Sequence, residues 1–185
     1  MRVETPLPDY HLQFASERCN LSLVPAKVKL ERRSGCPVSI SLEMLGDRWS
    51  LLIVRDLMVR GYRTFKDFQG SSEGIATNIL ADRLKKLEAA GIISAEAEKA
   101  DGRRVNYRLT EKGIDLAPVL LDLLIWAARH EETGAPCGLI MDMEKNREAV
   151  LSEARRRWRE RDLTPLLPEF KNQKETGSKT GRKKR

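Results

Sequence analysis

The stretch "GIATNILADRLKKLEAAGII", residues 74–93, decides the fold. Ala76, Ile79, Leu80, Leu84 and Leu87 recur at helical spacing and predict a helix from Ile75 to Ala90, stopped by Gly91. The opposite stripe is unusual: Thr77, Asn78, Ala81, Asp82 and Lys85 are small, short or polar, and they cluster toward the helix start. Most polar faces are simply solvated. What this one touches depends on its neighbours.

Upstream, "VSISLEMLG" places Val38, Leu42 and Leu45 on one side of a short helix that Gly46 ends. Asp47 suits an N-cap for "RWSLLIVRDLMVRG", with Trp49, Leu52, Ile53, Leu57 and Met58 inward and Gly61 closing it. "RTFKDFQ" predicts another short helix with Phe65 and Phe68 as anchors, followed by the polar turn "GSSEG". Downstream the period changes to two. Ile93, Ala95 and Ala97 alternate, as do Val105, Tyr107 and Leu109, around the hairpin signal Asp101-Gly102. Arg103 and Arg104 lie just past the tip. Charged tips also serve simply to keep hairpin edges wet. Thr110 caps a predicted helix running to about Glu132, with more apolar surface than one small domain buries. After the break "GAPCG", a further amphipathic helix is expected over 143–161, packing Val150, Leu151, Ala154 and Trp158.

Helix, helix, short helix, turn, helix, hairpin, helix spells a winged helix-turn-helix. The fold class is therefore mainly α (α+β), with a two-stranded β wing and helical dimerisation elements. In such a fold the second helix of the reading pair lies in the DNA major groove, and small groups at its start let it sink in. Thr77 and Asn78 can reach base edges or phosphates, Asp82 can accept from cytosine N4, and Lys85, a turn further on, suits a phosphate. Lys66, Arg83, Arg103 and Arg104 complete the expected DNA-binding set. The expected organisation is an irregular arm over 1–34, a reading and dimerisation domain over 35–132, a helical extension over 133–170 and a disordered basic tail over 171–185.

Composition bounds the alternatives. The 185 residues are 41% hydrophobic and 33% charged, as a folded, water-soluble chain requires. The net charge is +7, but residues 171–185 hold seven Lys/Arg and one Glu, so the remainder carries only about one positive charge. A high isoelectric point is then weak evidence for nucleic acid, because a tail produces it. No apolar run approaches the roughly 20 residues of a membrane span. "MRVETPLPDYHLQF" shows no secretory leader, so the expected compartment is the cytoplasm. Three scattered cysteines, Cys19, Cys36 and Cys137, suggest no disulfide framework, and two distant histidines no zinc site. Nothing supplies a Gly-rich phosphate loop or a nucleophile–base pair, so neither an enzyme nor a cofactor is expected.

Four signatures in order make the chain from about Cys36 to His130 resemble the HxlR-type transcriptional regulators, winged-helix proteins related to the MarR group. They are Cys36-Pro37-Val38, Gly46-Asp47-Arg48-Trp49, Leu-x-x-Arg-Leu-x-x-Leu-Glu over 80–88, and Val-x-Tyr-x-Leu-Thr-x-x-Gly over 105–113. The resemblance implies a homodimer built from the first helix and the long helix after the wing, giving Leu42, Leu116, Leu120, Leu123, Leu124 and Trp126 as interface residues. It implies double-stranded DNA as partner, with a near-palindromic operator whose half-sites lie about 34–36 Å apart or a multiple of that. It implies repression more often than activation, and it makes Cys36 a candidate redox or electrophile sensor, since a helix N-terminus and Arg32 and Arg33 nearby favour a thiolate. Nothing in the sequence names a small-molecule effector.

The chain departs from the family at Ala76, where a serine usually caps the reading helix. Thr77 or Ser72 is expected to replace it. The competing reading is a winged-helix module for protein or non-specific nucleic-acid association, with affinity supplied by the basic tail.

Overall fold

The computed structural model describes residues 34–97, 104–167 and 170. Helix α1 (Pro37–Leu45) leads through the Asp47 turn into α2 (Ser50–Arg55), which continues as one π-helical turn over Asp56–Arg60. There follow α3 (Phe65–Gln69), α4 (Thr77–Ala89), β1 (Ile93–Ala97), β2 (Val105–Leu109), α5 (Glu111–Ile114), α6 (Ala117–His130), α7 (Cys137–Lys145) and α8 (Arg147–Glu160). The strands pair antiparallel with Ile93 opposite Leu109 and Ala97 opposite Val105. A bridge from Thr64 to Asn106 lays the segment before α3 alongside the wing.

One core lies among α2, α3, α4 and the base of the hairpin. Val54, Leu57, Phe68, Leu80, Leu84, Leu87, Ile92 and Ile93 are all at most 3% exposed. Phe68 stands at its centre, edge-on to both Tyr62 and Tyr107. Val54, absent from the expected apolar stripe, is the most enclosed residue of α2. A second core joins α6 to α7 through Leu121, Ile125, Ile140 and Met143.

The motif over 105–113 has a local physical reason. The Thr110 hydroxyl donates to the Gly91 carbonyl at 2.7 Å and accepts from the Gly113 amide at 3.1 Å. Position 113 has no room for a side chain, because a Cβ there would sit 2.2 Å from the Ile92 carbonyl oxygen. The end of α4 and the start of α5 are thereby stitched together beneath the wing.

Several expectations need correction. The helix starting at Thr110 does not run to Glu132: Pro118, at the second position of α6, cannot donate to a preceding turn, so the chain ends α5 and restarts at Ala117. Val38 and Leu42 face outward, and of the α1 stripe Leu45 alone is buried. Ala76 is exposed and Ile75 takes the buried place. Neither Thr77 nor Ser72 caps α4; Ala76 is its N-cap, and it makes no side-chain cap hydrogen bond. The extension holds two helices rather than one, since α7 precedes α8.

The extension packs against the domain that carries α4. Trp158 donates its indole N–H to the Leu109 carbonyl at 2.7 Å, while the Arg108 guanidinium bonds the Trp158 carbonyl and lies over its ring. Further on, the Leu166 amide donates to the Val59 carbonyl at 2.7 Å. No helix among the described residues is long and apolar enough to cross a membrane.

Candidate nucleic-acid interface

The pair α3–α4 is held by short-range polar chemistry. Thr64 and Asp67 form a capping box: the Asp67 amide donates to the Thr64 hydroxyl at 3.2 Å and the Thr64 amide donates back to the carboxylate at 2.8 Å. Burial pushes the Asp67 carboxyl up, but the Arg63 and Thr64 amides more than offset this and hold it below its ordinary value of 3.8. The turn after α3 is tied to α2 by the Arg55–Glu73 ion pair at 2.9 Å. Across the turn, the Gln69 amide donates to the Thr77 hydroxyl at 3.2 Å, fixing the spacing of the two helices.

A second anchor unites two of the sequence signatures. Asp47 is not the expected N-cap, a place Trp49 takes, but its carboxylate accepts from the Trp49 and Ser50 amides at 2.8 and 3.0 Å at the start of α2 and faces the Arg83 guanidinium of α4 at 3.3 Å. Burial acts to raise the Asp47 pKa, but the Ser50 hydroxyl, the two amides and Arg83 together lower it. The Asp of Gly-Asp-Arg-Trp therefore meets the Arg of Leu-x-x-Arg-Leu, and the pair sets how α4 stands on α2. Spacing alone did not reveal this, because Arg83 reads as one more charge on a polar helix.

The expected DNA-binding residues consequently divide. Thr77, Asn78 and Lys85 are exposed on one face of α4, and Lys66 is exposed on α3. Asp82 pairs with Lys86 at 3.0 Å and Arg83 turns inward to Asp47. Arg104 is exposed at the start of β2, while Arg103 lies outside the described residues, as do Cys19, Arg32, Arg33 and the basic tail. Cys36 is exposed as the N-cap of α1, its own amide donating to the Ser34 hydroxyl at 3.0 Å; Cys137 is exposed at the start of α7.

The residues assigned to a dimer interface also separate. Leu42 and Trp126 are 61% and 58% exposed, and Leu123 is 45% exposed. Val119 joins Leu123 and Trp126 in a single outward apolar stripe along α6. Leu116, Leu120 and Leu124 are half-buried within the chain. The described residues hold no group of three or more metal-ligating side chains.

A bare polar helix start beside a helix-turn and a hairpin is the layout of a winged helix-turn-helix regulator. The HxlR-like helix-turn-helix family matches residues 44–134. The HTH-type transcriptional regulator YybR of Bacillus subtilis is 30% identical over 116 residues, covering 61% of this chain and 92% of its own length. YodB, a transcriptional regulator of the same organism, is 35% identical over 100 residues, 54% of this chain and 88% of its own. Its reduced-form structure, at 33% identity, covers 52% of this chain and 95% of its own with a TM-score of 0.44. YodB has also been solved in diamide-treated and quinone-bound states. The crystal structure of PA1607, described as a candidate transcription factor, superimposes with a TM-score of 0.51 at 40% identity, over 57% of this chain and 71% of that one. The chain belongs to the HxlR-like helix-turn-helix family. It is a transcriptional regulator with a helix-turn-helix domain, its relatives are regulators rather than enzymes, and its family implies DNA as partner.

Proposed function

We propose that this regulator is a homodimeric, sequence-specific repressor that inserts the start of α4 into the major groove of a near-palindromic operator. The observation that carries the reading is the division of polar groups on α4. Asp82, Arg83 and Lys86 are engaged in ion pairs, whereas Thr77, Asn78 and Lys85 stand exposed beside a helix end that no side chain caps. Uncapped amides and the positive end of the helix dipole favour phosphate, and the Asn78 amide suits adenine. Arg104 of the wing and Lys66 of α3 flank this face and suit backbone phosphates. Arg103 is assigned with Arg104.

The outward stripe of Val119, Leu123 and Trp126, with Val38 and Leu42 on α1, supports self-association, since exposed apolar surface of this kind marks an interface. In this reading residues 35–132 form the reading and dimerising unit, 133–170 brace it and 171–185 act as a basic tail. Exposed Cys36, at a helix start near that stripe's counterpart on α1, is assigned as a redox- or electrophile-responsive group. A relative solved in diamide-treated and quinone-bound states supports the assignment.

The test is enrichment of reduced, full-length protein on a random pool of duplexes at near-physiological salt. The expected product is an inverted repeat with half-sites about one helical turn apart or a multiple of it. Binding without any motif, abolished by rising salt and by deleting residues 171–185, would establish instead a non-specific module driven by its tail.

A further inference from the structure

Helix α6 has three apolar faces, and two of them have an assigned role. Ala117, Leu121 and Ile125 are buried in the chain, and Val119, Leu123 and Trp126 face outward. Between these faces, Leu120, Leu124 and Ala127 line a cavity of about 410 Å³, which Ala117 and Leu121 on one side and Leu123 on the other also border. Leu52 and Met58 of α2 and its π turn form the opposite wall, and Leu151 and Ala154 of α8 form a third. A volume of this size lies within the range of small-molecule pockets, about 300–1,000 Å³. More than a third of the lining comes from beyond residue 134, where the family match ends.

We propose that this cavity binds an uncharged, predominantly apolar small molecule, and that its occupancy is communicated to the wing through α8. The lining selects the ligand class. Its charged members, Arg55 and Arg60, are already neutralised: Arg55 pairs with Asp56 at 2.8 Å and with Glu73 at 2.9 Å, and Arg60 pairs with Asp56 at 3.2 Å. Two cations facing two carboxylates offer an anionic ligand no net attraction. The wall is otherwise hydrocarbon and the thioethers of Met58 and Met143, with the single side-chain hydroxyl of Thr133. The cavity reaches the edge of the outward stripe at Leu123, whereas Val119 and Trp126 do not line it.

The geometry supplies the route to the reading head. Ala154 lines the cavity and Trp158, one turn on along the same face of α8, holds the Leu109 carbonyl of the wing strand at 2.7 Å. On the other wall the π turn is held by the Leu166 amide through the Val59 carbonyl. A ligand that braces α8 against α6 therefore bears on both attachments of the extension. It shifts DNA affinity only by its difference in affinity between the two arrangements.

Ligand binding is independent of the DNA reading above, whereas the effect on the wing rests on it. The experiment keeps them apart. The neutral fluorophore N-phenyl-1-naphthylamine is titrated into reduced full-length protein. One saturable site per chain is expected, with affinity weakened more than about tenfold in Ala127→Trp, which fills the cavity, and unchanged in Val119→Gln and Trp126→Gln. Leu167→Trp, at the cavity's C-terminal wall, repeats the filling if Ala127→Trp does not fold by circular dichroism. In wild-type protein, the saturated probe is expected to slow amide exchange across α8 and β2. Absence of a saturable site, indifference to both filling variants, loss in the outward-stripe variants, or exclusion of the probe on dimerisation would each overturn the proposal. If the probe binds as expected and the protein selects no DNA motif with or without it, the operator reading fails and the pocket stands.

Discussion

Helices α4 and α8 are the two most polar long helices of the described chain, and they use charge in opposite ways. Helix α8 carries five arginines over Arg147–Glu160. Four are engaged by the protein itself: Arg147 by Asp122, Arg155 by Asp115, Arg156 by Glu153 and Glu160, and Arg157 by Glu153 and the Thr164 carbonyl. The hydrogen bonds from Arg156 and Arg157 draw Glu153 down to a pKa of about 2. Helix α4 has fewer basic groups, and on its exposed face Gln69 engages Thr77 while Asn78 and Lys85 make no hydrogen bond or ion pair among the described residues. A count of arginines alone would place the nucleic-acid surface on α8, whereas the proposed reading places it on α4. What distinguishes an interface is polar groups without internal partners, held on a well-packed support.

The strongest way to break this contrast is to test whether α8 is structural at all. Trp158→Ala removes its clamp on the wing, and a loss of about 3 kcal/mol in denaturant unfolding is expected, the lower end for a large aromatic in a core. A loss no greater than that of an exposed surface residue would show α8 to be an appendage. Next in size, Asn78→Ala is expected to weaken operator binding by about 1–3 kcal/mol without changing unfolding, and Arg156→Gln to leave operator binding unchanged. Equal losses in binding assays from the two variants would abolish the distinction between the helices.

Two smaller effects sharpen it. Ala76→Ser supplies the hydroxyl that α4 lacks and is expected to stabilise the fold by about 1 kcal/mol in thermal or chemical unfolding. The cap of α3 gives a pH signature. Because Asp67 is held below 3.8 in the folded chain, its contribution is present above that pH and lost as pH falls through the lower folded value. Asp67→Asn is expected to flatten that acid limb of the stability profile. Smallest of all, Lys85→Gln is expected to reduce the slope of log affinity against log salt by about one, uniformly across DNA sequences.

The position of α4 and the order of elements as far as β2 were legible in the sequence, because strong helical and alternating periods were bounded by Gly46, Gly61, Gly91 and the hairpin signal Asp101-Gly102, which itself lies outside the described residues. The buried face of α4 was legible at Leu80, Leu84 and Leu87 but not at Ala76, which is exposed. Less visible was anything set by contacts distant in the chain. Arg83 turns inward because Asp47 waits 36 positions earlier, and Trp158 is anchored by a carbonyl 49 positions earlier. Helix α7 was missed although Ile140 and Met143 stand at helical spacing, since "GAPCG" read as a plain break. Pro118 could have warned that the helix from Thr110 was two. The π turn over Asp56–Arg60 has no signature of its own in residue order: "DLMVR" continues an ordinary helical pattern.

Gly61 is constrained twice over. Its φ of +72° already favours glycine, yet asparagine is the usual second choice for such a left-handed stop. In this protein that exit is closed as well, because a Cβ would lie 2.1 Å from the carbonyl oxygen of Leu163. With the C-terminal segment docked, position 61 thus has no room for any side chain, and only moving that segment away would relieve the clash. The segment that braces the fold therefore also fixes which residue can stand 102 positions before its Leu163.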